Sequence, residues 1–217
     1  MSEALESTLR RGLDALRLKL GDLQIGRLLE YLDLIGKWNR VYNLTAVRDI
    51  PGMLTHHLLD SLAVVAPLLR QAGGAPLRLL DVGSGAGLPG VVISICCPMV
   101  DVDCVDTVAK KAAFIRQVAA TLQLPNLHAI HGRVEKIARK YDVAASRAFA
   151  SLAEFVVLSE GAVALDGVWM AQKGREPLDE IAAVPAGWVV FHVEQLQVPG
   201  LDAERCIVWL RRAATVT

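Results

Sequence analysis

Asp81-Val82-Gly83-Ser84-Gly85-Ala86-Gly87-Leu88-Pro89-Gly90 is the stretch whose residue types and spacing point most directly to chemistry. It follows Leu77-Arg78-Leu79-Leu80, which reads as a buried strand, and precedes Val91-Val92-Ile93-Ser94-Ile95, an apolar stretch of about one helical period. A strand, a glycine-rich turn and a helix in succession make a binding elbow of the nucleotide type. The helix start presents free N–H groups to an anionic part of a ligand. Glycines permit the tight turn and let the ligand approach the backbone closely.

Two details separate this loop from its relatives. A dinucleotide fingerprint carries glycine at its first, third and sixth positions, and the sixth here is Leu88. A phosphate-cradling loop ends in Gly-Lys-Ser/Thr, and no lysine stands between Asp81 and Gly90. What remains, Asp-x-Gly-x-Gly-x-Gly, resembles motif I of the S-adenosylmethionine-dependent methyltransferases with a Rossmann-like sheet. In that resemblance the methionine carboxylate lies by the helix start, and Asp81 helps supply a negative neighbourhood for the ammonium, directly or through water. The competing reading is an ordinary strand-to-helix turn in an α/β domain, which a lone Gly-x-Gly-x-Gly would favour.

Further candidates follow at the ends of later strands. Asp106 lies 23 residues after Gly83, at the carboxyl end of the second strand, where an acid can accept both ribose hydroxyls. It can also cap the following helix, and the two roles are compatible. Asp103 is a weaker candidate for the same ligand. Val134-Glu135, after the third strand, either frames an adenine or starts a helix with Glu135 favourable to the dipole. After the fourth strand, amine-methylating relatives carry Asn/Asp-Pro-Pro-Tyr; here Ser146-Arg147-Ala148-Phe149 stands in that place. That argues against an exocyclic amino acceptor and for a ring nitrogen, whose lone pair needs no base. Arg147 is a donor-only planar fork suited to a carboxylate, a phosphate or a guanine edge.

The elements that must position these residues can be read from periodicity. Leu5, Leu9, Leu13, Leu16 and Leu20 predict an amphipathic helix ended by Gly21, with Asp22 capping the next. Ile25, Leu28, Leu29, Leu32 and Ile35 predict a second helix, and residues 38–45, with two asparagines, read as a structured connection. Asp49 and Pro51 suit a helix entry, and Leu54, Leu58, Ser61, Leu62 and Val65 predict a third helix ending before Gly73-Gly74. From Leu77 strands and helices alternate, the signature of a parallel doubly wound sheet. Strands are expected at 77–80, 101–105, 127–130, 142–145 and 168–172, with helices at 108–122, 154–165 and 178–183. A final antiparallel pair, 188–196 and 206–211, is joined by the Pro199-Gly200 loop. The expected organisation is a helical extension over residues 1–75 and a cofactor-binding domain over 76–217, packed as one compact unit.

Composition bounds the rest. The chain has 217 residues, 53% hydrophobic and 21% charged, ample for a sizeable core and unlike a disordered chain. No run of 18 uninterrupted apolar residues predicts a membrane span, and the first residues lack a secretory pattern, so a cytoplasmic protein is expected. Cys96, Cys97, Cys104 and Cys206 form no C-x-x-C and are expected as buried free thiols rather than metal ligands. Net charge is zero, which by itself gives no support to a nucleic-acid partner. Between Thr107 and Arg147, however, eight basic residues face two acidic ones.

Taken together, the residues resemble one family closely: the glucose-inhibited division protein B family, the 16S rRNA guanine-N7 methyltransferases. The resemblance rests on Trp38-Asn39 with Tyr42-Asn43-Leu44-Thr45, on His57-Leu58-Leu59-Asp60-Ser61, and on the loop Asp81 to Gly90. It continues through Arg133-Val134-Glu135, Ser146-Arg147-Ala148-Phe149-Ala150, Lys173-Gly174 and Val198-Pro199, and spans nearly the whole chain. It implies an α/β, Rossmann-like class I methyltransferase with a seven-stranded, mostly parallel sheet and an N-terminal helical extension. It implies S-adenosyl-L-methionine contacts at Gly83, Leu88, Val134, Glu135 and Arg147, to which the loop and strand-end arguments add Gly85 and Asp106. It implies methylation of one guanine at N7 in the decoding region of 16S rRNA, free or in a small-subunit assembly particle. Arg147, Lys173 and His57 are expected toward the substrate; the alternative for His57 is a hydrogen-bonded packing residue. No metal, no membrane and a monomer are expected. The competing functions are methylation of a small molecule or protein, and a non-catalytic S-adenosylmethionine-binding module.

Overall fold

The computed structural model describes residues 3–214. Its strands are β1 (Leu77–Val82), β2 (Val100–Asp106), β3 (Leu127–His131), β4 (Tyr141–Arg147), β5 (Val163–Lys173), β6 (Trp188–Leu196) and β7 (Arg205–Arg212). They form one seven-stranded sheet in the order β3-β2-β1-β4-β5-β7-β6. β1 to β5 run parallel, and β7 lies antiparallel between β5 and β6. This is the Rossmann-like class I methyltransferase sheet that the sequence led us to expect.

Side-chain alternation sorts the strands into two cores, because successive residues of a strand point to opposite faces. Leu79, Val143, Met170 and Ile207 belong to a cluster on one face, shared with the N-terminal helices and with Phe114 and Ile115. Leu80, Ala144, Trp169 and Val208 belong to the other, closed by Leu152, Phe155 and Val156. Both faces are covered, which is why the central strands are apolar along nearly their whole length.

The helices are α1 (Glu3–Ala15), α2 (Asp22–Tyr42), α3 (Ile50–Gln71), α4 (Gly90–Cys96), α5 (Ala109–Thr121), α6 (Leu152–Ser159) and α7 (Leu178–Ala182). The leucine spacing overextended α1. The helix ends at Ala15, Arg17 takes a left-handed φ of 57°, and the Leu18 N–H closes onto the Leu13 carbonyl at 2.9 Å. Leu16, Leu18 and Leu20 still pack on the core, but from an irregular segment. Gly21 is the N-cap of α2 rather than the stop of α1; its N–H donates to Gln24 Oε1 at 3.1 Å, and Asp22 is the first helical residue. α2 also runs through Trp38 to Tyr42, where a connection was expected, and stops at Asn43 with φ 51°.

The extension of α2 has a polar reason. Asn39 is buried; its Nδ2 donates to the Val47 carbonyl at 3.0 Å and its Oδ1 accepts from Thr45 N–H at 2.9 Å. It fastens the α2–α3 connection to the helix. α3 begins at the Asp49 cap, which accepts from Gly52 N–H at 2.7 Å, with Pro51 in its first turn. Leu54–Leu59 winds as a wider π turn within α3. Over 18 residues α3 reaches a mean hydropathy of 1.3, yet 72% of that window is buried, as befits an interior helix.

The helix expected at 154–165 is shorter. Ser151 and Glu154 form a reciprocal cap at its start, and Trp169 Nε1–H donates to Ser159 Oγ at 2.8 Å near its end. A 3-10 turn, Glu160–Ala162, leads straight into β5, which starts at Val163 and bulges before pairing again at Val168.

Asn39→Ala is expected to remove the side-chain partner of two part-buried backbone groups of the connection. A loss of about 1–3 kcal/mol of stability by urea denaturation should follow, at roughly 0.5–1.5 for each lost hydrogen bond.

Candidate active site

Strand order reverses between β2-β1 and β4-β5, so a crevice opens at the carboxyl ends of these parallel strands. The loop after β1 forms its floor. Gly83, Gly85 and Gly87 all take left-handed φ, at 68°, 60° and 86°. A Cβ on Gly83 would stand 2.5 Å from Phe149 Cδ2, so that glycine answers to close packing as well as to its turn. A Cβ on Gly85 would meet only open space and the Gly83 carbonyl at 3.9 Å.

Two carboxylates hold this loop. Asp81 Oδ2 accepts from Gly90 N–H at 2.8 Å. Asp106 Oδ2 accepts from Gly85 N–H at 3.0 Å and its Oδ1 from Val108 N–H at 2.8 Å, with Lys111 Nζ 3.6 Å away. From the far side, the buried Tyr31 of α2 donates its hydroxyl to the Ala86 carbonyl at 2.6 Å. Asp81 was expected beside a ligand ammonium. It is fully buried and lines neither cavity of the crevice; its Oδ2 serves the loop, and its Oδ1 has no hydrogen-bond partner among the described residues. Burial pushes its carboxyl up to about 7, opposed by the Gly90 N–H.

The crevice holds two adjoining cavities of about 530 and 380 Å³, both touching Gly83 and Ala148. Gly83, Gly85, Leu88, Arg147 and Lys173 line the larger; Gly83, Asp106, Val134 and Glu135 line the smaller. The fold thus brings together residues spread from position 83 to 173. His57 is not among them. It is 6% exposed, with Nε2 2.7 Å from Thr45 Oγ1, and it is the neighbouring His56 that lines the larger cavity. Burial, and then the positive charge of Arg147, lower the His57 pKa to about 4, so its imidazole is neutral near pH 7.

Several residues of the site escaped sequence reasoning. Asp60, at the end of the π turn, is 2% exposed; its Oδ2 accepts from Arg147 Nη1 at 3.0 Å and its Oδ1 from Arg205 Nε at 2.8 Å. Arg147 Nη1 also donates to the His56 carbonyl at 3.0 Å. Gln172, Arg205 and Ser84 complete the larger cavity, and Phe149 packs on Gly83 where the two cavities meet. Ala148 holds φ 53°, a left-handed conformation unusual for a residue with a Cβ, at the hinge of the loop after β4. Lys173 Nζ donates to Glu180 Oε2 at 2.8 Å and to the Ala150 carbonyl at 3.1 Å, tying that loop to α7. Asp103 accepts from Arg139 Nη1 at 3.1 Å and from the Tyr141 hydroxyl, a bracing role on the sheet.

The site fits a polar ligand with a nucleoside part. Ser84 Oγ and Gln172 Oε1 are buried on the wall of the larger cavity without a hydrogen-bond partner among the described residues. Such groups are costly unless a ligand or water satisfies them. Each Asp106 oxygen retains a lone pair beyond its backbone bond, enough for a pair of ribose hydroxyls. No metal-holding group of His, Cys, Asp and Glu side chains occurs among the described residues, and all four cysteines are free.

The profile of one protein family, GidB: rRNA small subunit methyltransferase G, matches residues 24–208. The chain is 62% identical over 221 residues to Ribosomal RNA small subunit methyltransferase G of Paracidovorax citrulli, covering 97% of this chain and 91% of that one. It is 66% identical over 212 residues to the protein of the same name from a Polaromonas species, covering 95% and 93%. Among solved structures, the Burkholderia thailandensis 1,6-didemethyltoxoflavin-N1-methyltransferase with bound S-adenosylhomocysteine superposes with a TM-score of 0.57 at 15% identity, over 85% of this chain and 90% of that chain. At that identity the likeness is one of fold.

Gly85→Ala is expected to keep the fold, losing about 1–2 kcal/mol for the left-handed φ, while its methyl group projects into the cavity and weakens S-adenosylmethionine binding by calorimetry. The two shifted groups make opposite demands on pH. The His57 pKa is depressed to about 4, so its contribution is present above its ordinary value of 6.5 and is lost as pH falls from there toward 4. Asp81 is raised to about 7, so its contribution is present below its ordinary value of 3.8 and is lost as pH rises through 7. Denaturation between pH 4 and 7 should therefore show a shallower acid loss in His57→Gln than in the natural protein, and a steeper one in Asp81→Asn.

Proposed function

This chain belongs to the rRNA small subunit methyltransferase G family, and we propose that it methylates N7 of one guanine in the decoding region of 16S rRNA, using S-adenosylmethionine. The observation that carries this reading is the meeting, in one crevice, of the Asp81–Gly90 loop with Ser146-Arg147-Ala148 at the end of β4. The first is built for the cofactor. The second offers a planar cation where amine methyltransferases hold an amino group.

In this reading Asp106, Val134 and Glu135 receive the adenosine part in the smaller cavity. Gly83, Gly85 and Leu88 border the methionine part in the larger one, with Arg147 beside it. When bound, S-adenosylmethionine supplies an electrophilic methyl group on a sulfonium sulfur. The chain's own task is then to orient an acceptor in line with it and to keep water out. Arg147 and Lys173 place the guanine and its backbone; His57, buried and neutral, supports the wall rather than the substrate.

No general base is needed, because the N7 lone pair lies in the ring plane and no proton leaves before transfer. Of the titratable groups on the larger cavity, Asp60, Arg147, Arg205 and Lys173 are ion-paired, leaving His56. The substrate is 16S rRNA or a small-subunit particle, and the enzyme acts as a monomer without a metal, in the cytoplasm. Mass mapping of 16S rRNA from cells lacking the protein, with and without its return, tests the assignment: one guanine should lose and regain a methyl group.

The single-turnover rate at saturating rRNA and cofactor is expected to be flat from about pH 6 to 9, the span in which a tuned base would titrate. Arg147→Ala should lower the rate across that whole span without a new pH dependence. A sigmoid rise with one pKa would mean that a base, His56 first, takes a proton and that the acceptor is not a bare ring nitrogen.

A further inference from the structure

We propose that Asp60 is the positioning residue of the substrate site, a single buried carboxylate that aims Arg147 and Arg205 together at oxygen acceptors of the target nucleotide. The inference rests on the rRNA reading above and adds to it Arg205 and the residue that controls both arginines.

Asp60 joins three strand ends to α3. Its Oδ2 holds Arg147 at the carboxyl end of β4 at 3.0 Å, across 87 residues of sequence. Its Oδ1 holds Arg205 at the start of β7 at 2.8 Å, across 145 residues. Its backbone carbonyl accepts from Gln172 Nε2, near the end of β5, at 3.0 Å. The wide turn Leu54–Leu59 immediately precedes it, and the His56 carbonyl in that turn takes a second bond from Arg147.

The donors left over belong to side chains that line the larger cavity. Arg147 spends Nη1 on Asp60 and His56, and Arg205 spends Nε on Asp60 and Nη1 on the Glu204 carbonyl at 2.7 Å. Arg147 Nε and Nη2 and Arg205 Nη2 have no acceptor among the described residues, and both side chains line the cavity with 21% and 23% exposure. One carboxylate between two guanidinium groups leaves one positive charge uncompensated. Lys173, by contrast, is matched by Glu180. An ion pair built only for stability would leave neither a spare cation nor spare donors on a cavity wall. Planar guanidinium forks recognise phosphate and carbonyl oxygens through paired N–H groups, and their geometry matters as much as their charge. Asp60 supplies that geometry.

The test compares Asp60→Asn and Arg205→Met with the natural protein on 16S rRNA, measuring kcat/KM for rRNA and, separately, calorimetric affinity for S-adenosylmethionine. Asn keeps one acceptor oxygen and can hold only one arginine. Asp60→Asn should lower kcat/KM for rRNA by roughly tenfold to a hundredfold, the worth of a charge-assisted hydrogen bond. Because Arg147 also stands beside the methionine part, the cofactor control is Arg205→Met, whose S-adenosylmethionine affinity should change by less than about threefold, below half a decade. Arg205→Met should act in the same direction and make the salt dependence of kcat/KM shallower by about one unit of log–log slope, as expected for one lost phosphate contact. The double variant should be little worse than Asp60→Asn, because the two residues act as one unit. If Asp60→Asn does not fold, Arg205→Met decides alone. Unchanged rRNA kinetics in the folded variants would overturn the assignment, as would a loss confined to cofactor affinity, which would give the arginines to the methionine carboxylate. Absence of methyl transfer by the natural protein would instead overturn the rRNA reading itself, and this inference with it.

Discussion

The loop from Gly83 to Gly90 is held by two acceptors that belong to neighbouring parallel strands. Asp81 is the penultimate residue of β1 and binds Gly90 N–H; Asp106 ends β2 and binds Gly85 N–H. Both contacts are charge-assisted when the acids are ionised; the Asp81 bond is buried and the Asp106 bond part-buried, so a mismatch at Asp81 above all would leave a polar group without water. The glycines complete the constraint. Gly90 has Cys104 Sγ at 2.6 Å and Asp81 Oδ2 at 2.8 Å from the place a Cβ would occupy. The crevice has its shape because this loop has no alternative one, and residues from β4, β5 and β7 are arranged around it.

The N-terminal helices belong to the site as much as the sheet does. Tyr31 of α2 holds the Ala86 carbonyl, and α3 contributes His56 and Asp60. The same helices share one apolar cluster with β1, β4 and β5, and the close approach of Gly12 to Leu59 seats α1 on the π turn. A helical extension that merely covered the sheet would need only apolar contacts. Here each helix beyond α1 also delivers a hydrogen bond to a residue of the crevice.

A net charge of zero is compatible with rRNA as substrate once the charges are located. Lys110, Arg116, Arg133 and Lys136 have no ion-pair partner among the described residues, and Arg133 lies on the smaller cavity. Arg139 is committed to Asp101 and Asp103 on the sheet. Nucleic-acid affinity depends on how many cations meet phosphates, not on the total charge of the chain. The acidic residues that bring the sum to zero include internal braces such as Asp60, Asp81 and Asp106, each 6% exposed or less.

Sequence alone determined the sheet, its antiparallel finish and the residues of the two cavities that sit at strand ends, because these are encoded by short-range periodicity and by glycine spacing. Gly83, Gly85, Asp106, Val134, Glu135 and Arg147 could be found this way, because each stands at the end of its strand or within a few residues of it, so locating the strand locates the residue; Leu88 came from the family resemblance. Local patterns were less faithful where a polar anchor outvoted periodicity, as Asn39 does at the end of α2, or where the backbone turned left-handed, as at Arg17 after α1. His57 and Asp60 stood in the same short motif, and sequence left His57 open between a substrate-facing and a packing residue, since nothing local distinguishes a buried histidine from a cavity-facing one; the structure buries His57 and puts Asp60 on the cavity. Asp60, Arg147, Arg205 and Gln172 become a unit only in the tertiary structure. Their contacts span 87 to 145 residues, and a hydrogen bond between side chains so far apart leaves no periodic trace in either segment; its geometry exists only after the sheet has brought the strand ends together and the π turn has set the carboxylate between them.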